Sequence, residues 1–127
     1  MSIFDKRLHY KPFEYPEAIT LMEKLNHTYW LHSELTFESD KHEFETLTDS
    51  EKEATIRNLC AISTIEVTVK EFWGQLGSLL PKAEFSMLGT TAAETEVRHA
   101  ESYSRILSLL GIEDVFVEAL ELSLIHI

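Results

Sequence analysis

Between Thr48 and Gly111 the chain carries two long apolar periodicities with almost no connection between them, and no other feature limits its fold as tightly. Thr48 followed three residues later by Glu51 is a capping box, the reciprocal arrangement that starts a helix, and the pattern beyond it runs unbroken to about Leu80. Pro81 fits the first turn of a second helix that runs to Leu110, with Gly111 placed as its C-terminal cap. Helices joined this tightly are predicted to be antiparallel neighbours. Upstream, the stretch to residue 14 reads as an extended arm, because Pro12 and Pro16 limit helix, and Pro16 can open a short amphipathic helix over Glu17 to Trp30. His32 to Leu47 is polar and mixed and is predicted to be loop, and a further helix begins near Glu113. No strand alternation, Gly-rich phosphate loop or internal repeat interrupts this pattern. The chain is predicted to be all-α, with two long antiparallel core helices and a shorter N-terminal one.

Composition narrows the function. A length of 127 residues, 44% hydrophobic with 4 Gly and 3 Pro, suits one globular domain rather than a linker. A formal net charge of −11 argues against nucleic acid or an anionic membrane as partner, since both reward clustered Lys and Arg. No run approaches the roughly eighteen apolar residues of a membrane span, and MSIFDKRLHYKPFEYP lacks the apolar core of a signal peptide, so a cytoplasmic protein is expected. Cys60 is the only cysteine and is predicted to be a small core residue. His9, His27, His32 and His42 are predicted to face solvent.

The chemistry is concentrated on the two long helices. Glu96, His99 and Tyr103 stand three and four residues apart, so a carboxylate, an imidazole and a phenol project from one face. At about 100° per residue that stripe also holds Leu88, Ala92, Ala93, Ala100, Ile106, Leu107 and Leu110, which makes it a core face. Glu94, Arg98, Glu101 and Arg105 form an opposite-sign ladder roughly 200° away and are predicted to be solvated. On the preceding helix, Glu66 falls on the stripe of Leu59, Ile62, Val69 and Trp73. An ionised carboxylate in an apolar seam costs several kcal/mol unless a cation, hydrogen bonds or edge exposure compensates it. Paired across neighbouring helices, Glu66 with Glu96 and His99 is a donor set suited to iron or manganese. It supplies half of the pattern of a dinuclear carboxylate bundle, in which two helices give one Glu each and two others give Glu-x-x-His. The rival reading is a metal-free helical interaction module, with Glu66 at a packing edge and Glu96 hydrogen-bonded to His99.

The segments YPEAITLMEKLNHTYW, LTDSEKEATIRNLCAISTIEVTVKEFW and SMLGTTAAETEVRHAESYSRIL resemble the small, radical-generating beta subunit of class I ribonucleotide reductase, from about Tyr15 to Gly111. The resemblance implies a ferritin-like helical bundle, present here in part. It implies that Glu66, Glu96 and His99 are metal ligands of a dinuclear iron or manganese centre, incomplete in this chain, and that Tyr103 carries a stable radical. Trp30, thirty-six residues before Glu66, resembles the tryptophan of the family's radical-transfer path. The implied partners are a catalytic alpha subunit, where ribonucleoside diphosphates become deoxyribonucleotides, and a second beta copy. A ferritin-like oxidase using the same ligands is the related alternative. Members of the family are more than twice as long, with the remaining ligands on later helices. The ending LSLIHI resembles translated adapter read-through, so the chain is expected to be a truncated gene product with a helical region over 15–121 and a non-native tail over 122–127.

Overall fold

The computed structural model describes residues 2–7 and 9–125. Five α-helices occur among them, α1 (Pro16–His27), α2 (Glu38–Thr46), α3 (Asp49–Leu79), α4 (Ala83–Leu110) and α5 (Glu113–Ile125), with a single 3-10 turn at His32–Glu34. No strand occurs among the described residues, and the all-helical architecture is that expected of a ferritin-like bundle.

The helix boundaries follow local chemistry. The Thr48 N–H donates to Glu51 Oε2 at 2.9 Å while the Glu51 N–H reaches Thr48 Oγ1 at 3.4 Å, closing the capping box that starts α3. At the end of α4, Gly111 adopts φ 68°, and the Ile112 N–H donates to the Leu107 carbonyl at 3.0 Å and the Gly111 N–H to that of Ser108 at 3.1 Å. This is a Schellman ending, in which Ile112 and Leu107 share one apolar cluster. Gly111→Ala is expected to cost about 1–2 kcal/mol, because a side chain at that φ meets the neighbouring carbonyl. Chemical denaturation would show it, and an unchanged midpoint would refute it.

The contacts fall into two compact units, one formed by residues 1–30 and 68–97 and the other by 31–67 and 98–127. In the first, Ala18, Leu76 and Ala92 are buried, and Tyr15 lies against Phe85 with ring centroids 5.1 Å apart. A Cβ on Gly77 would lie 2.8 Å from that of Ser86, and one on Gly89 would lie 2.5 Å from the Trp73 carbonyl oxygen. Small residues therefore let α3 and α4 approach closely, in antiparallel order. In the second unit Cys60, Leu107 and Ile112 form the buried centre, with Ile56, Leu59, Leu110, Phe116 and Ala119 packed around them. Cys60 is a buried core thiol, and burial pushes its pKa up.

Several sequence expectations need correction. The segment from His32 to Leu47 is not loop, because it holds the 3-10 turn and α2. Its periodicity is sparse, yet Phe37, Phe44 and Leu47 share one cleft with Leu59, Ile106 and Leu110, and the acidic residues Glu38 and Asp40 suit a helix N-terminus. α1 ends at His27, short of Trp30, and α4 begins at Ala83, two residues past Pro81. The charge ladder on α4 is only partly solvated, since Arg98 is buried and Arg105 half-buried. The Arg105 guanidinium donates to the His32 carbonyl and lies 5.8 Å from the Phe37 ring centre, so it anchors the turn read as loop. His32 is accordingly half-buried, whereas His9, His27 and His42 are exposed as expected. Ile62, placed on the core stripe of α3, is exposed. Within the segment 122–127, α5 continues through Ile125, and His126 and Ile127 lie outside the described residues. No helix among the described residues is long and apolar enough to cross a membrane.

Candidate metal centre

In the second unit α3 delivers Glu66 and α4 delivers His99, with Glu66 Oε2 and His99 Nδ1 3.3 Å apart. Both side chains are partly shielded, at 17% and 34% exposure respectively. With a proton on Nδ1 the ring donates a hydrogen bond to the carboxylate. Without it the two atoms face each other as oxygen and nitrogen donors at roughly the 3 Å that separates neighbouring ligands of one ion, given metal–ligand bonds of ~2 Å. Glu96 stands one helical turn before His99 on the same continuous helix. Two carboxylates and an imidazole fit a divalent transition-metal ion chemically: two negative charges offset the cation, and the nitrogen raises preference over calcium or magnesium.

Glu96 belongs to the first unit. The indole N–H of Trp73 donates to Glu96 Oε1 at 3.1 Å. Sequence periodicity marked Trp73 only as an apolar stripe member. The signal that could have singled it out is its indole N–H, a donor that needs a partner when the ring is half-buried. Tyr103 follows His99 by one turn of α4 and is half-buried. Trp30 is half-buried in the segment after α1.

A second polar cluster in the first unit was not visible from sequence. Glu84, in the first turn of α4, is fully buried and pairs with the Arg7 guanidinium. Its Oε1 accepts the N–H groups of Glu14 at 2.8 Å and Tyr15 at 2.9 Å. Lys82 Nζ stands 3.0 Å from Glu14 Oε2, and Arg7 Nη1 donates to the Pro12 carbonyl at 2.5 Å. Burial works against the Glu84 anion, but the N–H groups of Glu84 itself, Tyr15 and Glu14, with the Arg7 charge, outweigh it and hold the carboxyl below its ordinary value. Two cations and two anions balance, and the cluster ties the N-terminal arm to α4. It is a structural lock and has no imidazole to offer a transition metal.

The sequence matches the family described as ribonucleotide reductase, small chain, over residues 7–125. It is 29% identical over 116 residues to a probable ribonucleoside-diphosphate reductase small subunit of Invertebrate iridescent virus 3, covering 91% of this chain and 31% of that protein. A probable small subunit of Invertebrate iridescent virus 6 is 26% identical over 117 residues, covering 90% of this chain and 32% of that protein. The chain thus spans about a third of the length of the curated relatives it matches.

Proposed function

The chain belongs to the ribonucleotide reductase small-chain family, and from that premise we propose that it is the part of a beta subunit that carries one half of a dinuclear metal site. The observation that carries this reading is the meeting of Glu66 with His99, one turn from Glu96, inside the stretch the family match covers. When bound, a dinuclear iron or manganese centre supplies the oxidising power that, with oxygen, makes a tyrosyl radical. This chain's residues set the conditions. Glu66 and Glu96 offset the metal charge, His99 gives a neutral nitrogen, and half-burial of Tyr103 limits access of water and reductants to its phenol. Trp30 is the candidate relay for the oxidising equivalent. The alpha subunit would receive it and reduce ribonucleoside diphosphates to deoxyribonucleotides, with the beta subunit working as a homodimer in the cytoplasm.

Three protein ligands cannot fill two coordination shells, so one chain is expected to hold fewer than two ions. Anaerobic loading with ferrous iron, followed by metal analysis and mass by light scattering, tests this. Binding should fall by an order of magnitude or more in Glu66→Ala, Glu96→Ala and His99→Ala, because each removes a ligand. Equal metal content in all four proteins would sink the reading, as would a soluble monomer holding two irons.

A further inference from the structure

Trp73 lies on α3 two helical turns beyond Glu66, and its ring is half-buried and set edge-on to Phe72, with centroids 5.1 Å apart and an interplanar angle of 64°. The same residue's carbonyl is where α4 comes closest. A Cβ on Gly89 would stand 2.5 Å from the Trp73 oxygen and 2.8 Å from Leu76 Cβ, a separation that only glycine permits. That approach fixes the indole at a constant height against α4. Glu96, two turns beyond Gly89, then receives the indole N–H at 3.1 Å.

An indole N–H can only donate, and its bond to a carboxylate is charge-assisted, which makes it stronger than a bond between neutral groups. A long, rotamer-rich Glu side chain would otherwise sample several orientations before a cation arrived. We propose that Trp73 is a positioning residue for metal binding by Glu96: its indole N–H holds the Glu96 carboxylate in one orientation before a divalent cation arrives. This rests on the proposed reading of Glu96 as a metal ligand. The indole touches no reacting atom. Its contribution is to reduce the freedom that Glu96 must lose on binding, and a hydrogen-bond partner behind a metal ligand typically changes affinity by about 10–100-fold.

The test is affinity for Mn(II), measured by equilibrium dialysis and metal analysis on the whole chain, with helical content followed by circular dichroism. Trp73→Phe keeps an aromatic ring and loses the donor, and it should weaken Mn(II) binding by about tenfold or more. Trp73→Gln loses the ring but carries an amide N–H of similar reach, and it should bind Mn(II) more tightly than Trp73→Phe. Packing alone would predict the reverse order, since the ring is the larger apolar group. Equal affinity in Trp73→Phe and the unsubstituted chain, or no recovery in Trp73→Gln, overturns the proposal while leaving the ligand reading intact. If the unsubstituted chain binds no Mn(II), or binds it just as well as Glu96→Ala, both fall together.

Discussion

Glu84→Ala is expected to destabilise the folded chain by about 3–5 kcal/mol, the cost of removing one partner from a buried ion pair. The substitution takes the nearer carboxylate from the buried Arg7 guanidinium, leaving it only Glu14 Oε1 at 3.6 Å, and strips the acceptor from the N–H groups of Glu14 and Tyr15. Against a total stability of roughly 5–15 kcal/mol for a domain, such a loss removes a large share. Glu84→Gln keeps the shape and one acceptor but not the charge, so its loss should be smaller. The pH dependence has a definite sign. The folded carboxyl titrates below its ordinary value of 4.5, so its stabilisation is fully present above that pH and is lost as pH falls through the depressed folded value. The difference in urea midpoint between the native chain and Glu84→Gln should therefore be constant near neutrality and shrink on acidification below about pH 4.5. A loss under about 1 kcal/mol for Glu84→Ala would mean that Arg7 finds another partner.

What could be read in advance was whatever the chain specifies locally. The capping box at Thr48 and Glu51 and the left-handed glycine at Gly111 are short-range chemistry, so α3 and the end of α4 were legible almost to the residue. A tight connection makes neighbours of α3 and α4, which is why Glu66 and His99 could be paired from spacing alone. α2 was missed because its helix rests on three apolar residues meeting Leu59, Ile106 and Leu110, a tertiary effect that overrides weak periodicity. Arg98 and Arg105 sat in an apparently solvated ladder, yet Arg98 is buried, and the half-buried Arg105 packs its aliphatic stem while its head reaches the His32 carbonyl. Glu84 and Arg7 are 77 residues apart, and nothing local to either announces the other. The roles proposed for Tyr103 and Trp30 rest on family resemblance, because no spacing rule supplies them.

On the proposed reading, in which the complete beta subunit works through a radical on Tyr103, Tyr103→Phe is expected to abolish the tyrosyl-radical electron paramagnetic resonance signal while leaving metal content unchanged. The change removes one oxygen and keeps the ring, so the half-buried site stays filled and the melting temperature should move little. Phenylalanine has no phenolic proton to lose and a far less oxidisable ring, which is why the signal should vanish rather than diminish. Metal content should hold because the phenol is not one of the proposed ligands and follows His99 by one turn of α4. The two readouts separate the possible failures. An unchanged signal would assign the radical to another residue, and Trp30 and the remaining tyrosines would then need the same substitution. A lost signal accompanied by lost metal would instead make Tyr103 part of what holds the ions, and its separate role as radical carrier would have no support.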